Sequence, residues 1–184
     1  MRFSRMVTVV GVHTEGELNE VITGGVLDVP GKTMFDKMRW LQTEGDDLRK
    51  FLLYEPRGKV TQCVNLVLPP TRPEADAGFV IMESEYYVPM SGSNTICTVT
   101  ALLETGILPM KEPVTQITLD APGGLVRVSA GAGSPEPPLV TVGRWPLAVL
   151  VAVVLAAVAL AGVAVLTRTS FRERTPRRPA GRLW

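Results

Sequence analysis

The order of apolar and polar positions in the first 130 residues predicts short strands and three helices. Runs of β-branched and apolar residues predict strands at residues 6–12, 20–29, 59–68, 78–82, 116–119 and 125–129. The Gly24-Gly25 pair inside the second run indicates a bulge or a close approach of the backbone. The pattern predicts a sheet-rich α/β body wrapped on one apolar helix.

Helical spacing accounts for most of the remaining apolar positions. Thr33 can cap a helix that ends at Gly45, and Asp46 begins a second, short helix. The inward positions of these two helices are predicted to be Met34, Met38, Leu41, Leu48, Phe51 and Leu52. The third and most apolar helix follows residues 91–94 and is capped by Gly106.

Residues 147–166 are the most hydrophobic segment of the chain. They are twenty consecutive Ala, Val, Leu and Gly residues, with Leu147 first and Leu166 last. A helix of this length, at about 1.5 Å per residue, spans the roughly 30 Å hydrocarbon core of a bilayer. This segment therefore predicts a transmembrane helix and a contact with the membrane.

The charges around this segment conflict with that topology. Six arginines follow residue 166 and would keep the C-terminus in the cytoplasm, so the first 130 residues would have to lie outside. Those residues show no secretory signal and only two cysteines, Cys63 and Cys97, which is typical of a cytoplasmic protein with reduced thiols. Two interpretations stay open, a genuine membrane anchor and an out-of-frame reading of GC-rich DNA.

Charge divides the chain into two parts. Residues 1–130 contain 12 Lys and Arg against 16 Asp and Glu, whereas the rest contains seven Arg against two Glu. We expect a domain at residues 1–130, a Pro/Gly-rich linker at 131–146, the apolar helix at 147–166 and an Arg-rich tail at 167–184. Because the chain has no phosphate loop, paired-cysteine zinc motif or basic aromatic pattern, neither nucleic acid nor zinc is an expected partner.

The segment Ser91, Gly92, Ser93 and Asn94 lies where a turn gives way to the third helix. Free N–H groups and the positive end of the helix dipole suit such a terminus to bind a carboxylate, and a glycine allows a ligand to approach the backbone. Ser and Asn are also preferred N-cap residues, so ordinary capping explains the same pattern. Spacing alone leaves both interpretations open.

Four short stretches resemble motifs of the N-terminal half of the proline racemase family, which includes hydroxyproline 2-epimerases and trans-3-hydroxyproline dehydratases. They are residues 13–17 (HTEGE), 55–58 (EPRG), 75–78 (ADAG) and 90–93 (MSGS), the last similar to the family's M-C-G-H. The family's second motif, D-R-S-P-C-G-T-G, does not occur in the chain. The resemblance therefore implies a truncated first lobe of a diaminopimelate-epimerase-like fold.

The resemblance also implies a reaction. In this family two similar lobes close over a small imino acid, and each supplies one acid/base residue at a helix N-terminus, without a cofactor. On this chain Ser91 takes the acid/base position, and Gly92, Ser93 and Asn94 take substrate-binding positions. Serine in place of the usual cysteine, and Ser93 in place of histidine, resemble the branch associated with hydroxyproline epimerisation and 3-hydroxyproline dehydration.

We therefore expect a truncated epimerase or dehydratase that abstracts the α-proton of hydroxyproline or proline, weak or inactive because the second lobe is absent. The alternative is a membrane-anchored, non-catalytic binding protein that retains half of an enzyme fold. A homodimer and a partner chain that supplies the second lobe both stay open. The body is expected in the cytoplasm, and at the membrane if residues 147–166 are a genuine anchor.

A few other side chains have both a functional and a structural interpretation. His13 and Arg57 lie in the motifs, but a structural histidine and a surface arginine in a turn explain them as well. Asp76 is expected to end a loop, and both cysteines are expected to be small core residues. Tyr86 and Tyr87 either line a substrate entrance or fill a turn.

Overall fold

The computed structural model describes residues 5–131. In this part the strands are β1 (Thr8–Thr14), β2 (Glu17–Gly24), β3 (Cys63–Leu68), β4 (Ala77–Met82), β5 (Tyr87–Val88), β6 (Val114–Ala121) and β7 (Gly124–Gly131). The helices are α1 (Met34–Thr43), α2 (Asp47–Leu53) and α3 (Gly92–Glu104). Gly131, expected to open the linker, ends β7, and the rest of the linker, the apolar segment and the tail lie outside the described residues. None of the three helices within residues 5–131 is long and apolar enough to cross a bilayer.

The strands form one mixed sheet in the order β1-β2-β3-β4-β6-β7, with β5 paired to β4. Strands β2 and β3 are parallel, as are β4 and β6, and the other pairs are antiparallel. Parallel neighbours need a crossover connection, which α1 and α2 provide for the first pair and α3 provides for the second. Helices therefore cover both faces of the sheet.

Each face of the sheet has its own apolar cluster. The first joins α1 and α2 to the sheet and includes Ile22, Met34, Leu41, Leu48, Val64, Leu66, Val80 and Met82. The second joins α3 to β4, β6 and β7 and includes Phe79, Ile81, Val99, Leu102, Ile117, Leu119 and Val128. Successive residues of β4 alternate between the two clusters, because side chains along a strand point to opposite faces. The predicted α/β class and the sheet wrapped on one apolar helix are confirmed.

The strand predicted at residues 59–68 is shorter than expected. Residues 59–62 do not belong to it, and Cys63–Leu68 is buried on nearly every position. Covering helices on both faces remove the solvent-exposed side that an alternating pattern implies. The short strand β5, at residues expected to form only a turn, was also missed.

The second helix buries a different set of residues from the one predicted. Leu48, Leu52 and Leu53 are buried, but Phe51 is 49% exposed and its expected inward position is wrong. The buried positions of α2 are Leu48, Arg49, Leu52 and Leu53, which define one side of the helix, and Phe51 falls outside that side. The guanidinium group of Arg57 lies over the aromatic ring of Phe51, 4.2 Å from the ring centroid.

Two local predictions are confirmed. Thr33 caps α1, because its side chain accepts a hydrogen bond from the Asp36 N–H while the Asp36 carboxylate accepts one from the Thr33 N–H. Gly25 has φ of +88°, and a Cβ there would collide with the carbonyl oxygen of Met6. The close backbone approach indicated by the glycine pair therefore exists beside the irregular start of the β1–β2 ladder.

Arg49 fixes α2 to the β4–β5 hairpin. Its side chain is buried, and its Nε lies 2.6 Å from Oδ1 of Asp46. The guanidinium also donates to the carbonyl oxygens of Glu83 and Ser84 in the hairpin turn. The Tyr87 hydroxyl donates to Asp46 at 3.1 Å. This network holds the hairpin that leads into α3.

The same network makes acid stability depend on Asp46. The Arg49 guanidinium, with smaller contributions from Lys50 and Tyr87, holds the pKa of this carboxyl well below its usual range. A lowered folded-state pKa stabilises the protein above the unfolded pKa of about 4, and the contribution is lost as pH falls below that value. Asp46→Asn should lower the free energy of unfolding at pH 7 and flatten its decline on acidification, as measured by urea unfolding at pH 7, 5 and 3.5.

The neighbouring Asp47→Asn provides the control, because Asp47 is exposed. It should retain the acid dependence of the parent protein. An unchanged acid slope in Asp46→Asn would contradict the assignment.

Candidate active site

Two hairpins fix the start of α3. The β4–β5 hairpin delivers the chain to Pro89, whose carbonyl oxygen accepts a hydrogen bond of 2.8 Å from the Gly123 N–H in the β6–β7 turn. A Cβ at Gly123 would lie 3.0 Å from that oxygen, so glycine allows the close approach. Two residues later Ser91 occupies the N-cap position in an extended conformation, with φ of −147° and ψ of 139°.

The Ser91 side chain does not cap its helix. An N-cap serine normally accepts a hydrogen bond from a backbone N–H of the first turn, but Ser91 makes no such bond to α3. Its Oγ instead accepts a hydrogen bond of 2.9 Å from Nδ2 of Asn94 and lies 3.3 Å from Oγ of Ser93. The half-buried Ser91 hydroxyl is therefore free of the structural role that the sequence left open.

The backbone at the start of α3 can receive an oxyanion. The first helical hydrogen bond runs from the Thr95 N–H to the Ser91 carbonyl oxygen at 3.1 Å, so the N–H groups of residues 92–94 precede the intrahelical ladder. They lie at the positive end of the helix dipole. Apart from its chain neighbours and the backbone of its own helix, no atom of residues 5–131 lies within 4 Å of a Cβ placed on Gly92. The site thus combines a hydroxyl group with an open set of donors for a planar oxyanion.

A group of polar side chains on strands β1, β2 and β3, which we call the polar band, lies beside the first half of α3. Its members are Thr14, Glu17, Asn19, Cys63 and Asn65. Its closest polar contacts are Thr14 Oγ1 with Cys97 Sγ (2.9 Å), Cys63 Sγ with Glu17 Oε1 (3.7 Å) and Asn65 Nδ2 with Asn19 Oδ1 (2.9 Å). Within residues 5–131, the buried atoms Asn19 Nδ2, Asn65 Oδ1 and Asn94 Oδ1 have no hydrogen-bond partner.

Neither cysteine is set up as an acid or base. Burial raises the pKa of the Cys63 thiol to about 11, and the carboxylates of Glu83 and Glu17 act in the same direction while the Asn94 amide opposes them. Burial likewise raises the pKa of Cys97, with the Thr14 hydroxyl opposing it. Both residues are buried, as expected for small core side chains.

The four residues predicted for the site lie together, but they differ in exposure. Ser91, Gly92 and Ser93 are half-buried at the start of α3, whereas Asn94 is only 1% exposed. The Asn94 side chain contacts Ser91 and lies near Cys63. The side-chain amide of Asn94 points into the protein. A contact between Asn94 and substrate therefore stays a prediction, and it concerns the backbone N–H of this residue.

The other residues singled out from the sequence have identifiable surroundings. Asp76 joins β4 to β6, since its Oδ2 accepts the Thr118 N–H at 2.7 Å. Tyr87 belongs to the Asp46 network, and Tyr86 is exposed. His13 is exposed and lines a cavity of about 300 Å³ whose lining residues do not include the start of α3.

Sequence reasoning missed Asn19 and Asn65. Both amides are buried, at 1% and 0% exposure, and Asn65 lies between the apolar residues Val64 and Leu66. Cys63 and Asn65 fall on one face of the predicted strand, and that shared polar face is the signal that could have been followed. Within residues 5–131 there is no group of three His, Cys, Asp or Glu side chains arranged to hold a metal ion.

The fold has counterparts among solved structures of low sequence identity. Methylitaconate-delta-isomerase superimposes with a TM-score of 0.50 at 13% identity, over 72% of this chain and 62% of that chain. At this identity the likeness concerns the fold alone. It agrees with an α/β lobe in which a curled sheet surrounds a central helix.

More similar proteins establish the family. The sequence profile of the family described as proline racemase matches residues 9–146, a range that includes the predicted linker. A hydroxyproline epimerase from Agrobacterium vitis, solved with bound trans-4-hydroxy-L-proline, is 43% identical with a TM-score of 0.70, over 74% of this chain and 41% of that chain. A probable proline racemase from Agrobacterium radiobacter K84, solved with bound carbonate, is 46% identical with a TM-score of 0.67, over 70% and 38%. This chain belongs to the proline racemase family, and it spans about two fifths of the length of these two relatives.

The buried thiols generate a prediction that separates them from the site. With a pKa of about 11, about one Cys63 thiol in a thousand is ionised at pH 8. Cys97 is fully buried. Iodoacetamide at pH 8 should therefore alkylate both cysteines slowly in the native protein and rapidly in urea, as measured by peptide mass spectrometry. Rapid alkylation of Cys63 in the native protein would contradict its assigned surroundings.

Proposed function

We propose that this chain provides one acid/base group of an epimerase that acts on hydroxyproline or proline by cofactor-independent transfer of the α-proton. The observation that carries the proposal is the state of Ser91, a helix N-cap whose hydroxyl does not cap the helix. Family membership supports the reaction class. Gly92 and Ser93 supply backbone donors for the substrate carboxylate beside that hydroxyl.

The chemistry assigns different tasks to the side chain and to the backbone. When Ser91 acts as base, its ionised oxygen takes the α-proton, the C–H bond breaks and its electron pair stays on the α-carbon, delocalised into the carboxyl group. Hydrogen bonds from backbone donors to that carboxylate become stronger as its negative charge grows. They therefore lower the activation barrier for abstraction of the α-proton. When Ser91 acts as acid, its O–H bond breaks and the proton passes to the carbanion.

Support for hydroxyproline as substrate comes from the relatives. The Agrobacterium vitis epimerase was solved with bound trans-4-hydroxy-L-proline, and 43% identity links it to this chain. The carbonate bound to the Agrobacterium radiobacter protein is a planar oxyanion like a carboxylate. An open backbone at Gly92 suits such a group.

Inversion at the α-carbon needs a proton donor on the face opposite the base. On this proposal Ser91 serves one face, and the group for the opposite face is expected in the portion of the relatives that this chain does not cover. On this proposal the chain by itself exchanges the α-proton more slowly than it does when joined to a second lobe.

Isotope exchange tests the role of Ser91. Trans-4-hydroxy-L-proline incubated in deuterated water with the full chain, and with a fusion of residues 1–131 to the uncovered portion of the Agrobacterium vitis epimerase, should lose its α-proton signal in NMR spectra. Ser91→Ala should slow exchange in the fusion by roughly a hundredfold or more, because a positioned acid/base group contributes about 10²- to 10⁴-fold. Equal exchange by parent and variant, or no exchange by the fusion, would refute the proposal.

Gly92 provides a separate test of the carboxylate position. Gly92→Ala introduces a methyl group that meets no described atom within 4 Å outside its chain neighbours and its own helix backbone. Its thermal stability should stay equal or rise by about 0.5 kcal/mol, because alanine restricts the unfolded chain. Exchange at low substrate concentration should fall at least tenfold, because the methyl group occupies the space of the bound oxyanion.

The matched control is Gly11→Ala, where a Cβ also meets nothing within 4 Å outside its chain neighbours. This variant should show the same equal or slightly raised stability and should retain the exchange rate. Parent-like exchange by Gly92→Ala would show that the carboxylate lies elsewhere.

A further inference from the structure

The buried side chain of Asn94 donates a hydrogen bond to the Oγ atom of Ser91, which occupies the N-cap position of the same helix without capping it. We propose that Asn94 is a positioning residue, which orients the Ser91 hydroxyl and stabilises negative charge on its oxygen through the hydrogen bond from Nδ2. This inference rests on the proposed function, because it assigns the device that lets a serine serve as acid and base. It gives the Asn94 amide a role through Ser91 in place of direct contact with substrate.

The direction of this hydrogen bond is set by chemistry. An amide nitrogen only donates, so the Ser91 oxygen accepts at 2.9 Å and its own proton points elsewhere. The Ser91 hydroxyl can donate its hydrogen bond to Ser93 Oγ, 3.3 Å away, or to a bound ligand. The same contact draws the oxygen away from the backbone N–H groups of the first turn, which leaves those donors for a carboxylate.

The surroundings make the donor effective. Asn94 is 1% exposed, and helix α3 fixes its backbone, whose carbonyl oxygen accepts a hydrogen bond of 2.8 Å from Thr98 Oγ1. A hydrogen bond to a charged oxygen is stronger than one to a neutral oxygen, most of all where water is excluded. A fixed donor therefore favours the ionised hydroxyl over the neutral one. A serine needs this help more than a cysteine, because a hydroxyl is much less acidic than a thiol.

A purely structural role for Asn94 would leave the acidity of position 91 unchanged, so acidity is the property to measure. Ser91→Cys places a thiol there whose pKa follows from the pH dependence of iodoacetamide alkylation, assigned by peptide mass spectrometry. The buried Cys63 and Cys97 serve as slow internal references. The thiol at position 91 should have a pKa below the ordinary value of about 8.5.

Removal of the donor should reverse that effect. Adding Asn94→Ala to Ser91→Cys should raise the pKa by about one unit and slow alkylation at pH 7 about tenfold. Adding Asn94→Asp, of the same shape, should raise it further, because a carboxylate cannot donate and repels the thiolate. The control is Thr98→Val, which removes the hydrogen bond to the backbone carbonyl of Asn94 without changing the contact between the Asn94 amide and position 91, and should leave the pKa unchanged. An equal pKa with and without the Asn94 amide would overturn the proposal.

A second measurement leaves Asn94 in place and covers the case in which its variants do not fold. In ¹⁵N-labelled Ser91→Cys protein, the side-chain amide resonances of Asn94 should shift with the same midpoint as the thiol at position 91. Amide resonances that do not move through that titration would overturn the proposal. Neither measurement uses turnover, so the role of Asn94 can fail while α-proton exchange by Ser91 stands, and the reverse.

Discussion

The burial of α3 against one face of the sheet is the constraint on which the candidate site depends. Its second half packs Val99, Leu102 and Leu103 into the apolar cluster with β4, β6 and β7. Its first half buries Asn94 and Cys97 on the side of β1–β3, where the polar band lies. Apolar burial contributes roughly 25 cal/mol per Å², so the second half stabilises a helix whose first half has polar atoms without partners. The site is held in place by packing that it does not itself supply.

At the start of α3 the Ser91 oxygen can bond either to backbone N–H groups of the first turn or to the Asn94 side chain. Which partner it takes affects both the stability of the helix and the donors available to a ligand. Ser and Asn side chains readily bond to nearby backbone groups, and an N-cap serine contributes about 1 kcal/mol in that way. Here the Asn94 amide takes the Ser91 oxygen, and the Thr95 hydroxyl reinforces the first turn through the Ser91 carbonyl at 2.6 Å. The helix keeps its starting point while its first N–H groups stay available. A capping sequence can therefore fold as a helix start and still offer a binding surface.

The sequence predicted much of the fold, because its signals were local. The Thr33 cap and the apolar run of β4 each depend on neighbours a few residues away. The burial of both faces of β3 depends on helices distant in sequence, so alternation alone misplaced its start. The contacts of the polar band join residues 46 or 83 positions apart, and no local pattern could have paired them.

For the site, the motif located residues 91–94, but it did not distinguish their tasks. Three of them are half-buried at the helix start, and the fourth turns its amide inward. That difference in exposure follows from helical geometry and from the position of the polar band opposite α3. The position of the band is known only from the tertiary structure, so the sequence could not predict the difference. The sequence also left capping and ligand binding open for Ser91, and the structure shows only that its side chain makes no capping hydrogen bond.

On the proposed mechanism, access to substrate, more than acidity, distinguishes the side chains near α3. The thiols of Cys63 and Cys97 are more acidic than a hydroxyl, but both are buried. Ser91 lies half-exposed at the positive end of the helix. On the proposed mechanism a bound carboxylate would use the same N–H donors and oppose ionisation of the serine by its negative charge. The Asn94 amide faces the protein interior and is not shared with the ligand, so it continues to stabilise the Ser91 oxygen when the carboxylate occupies the backbone donors.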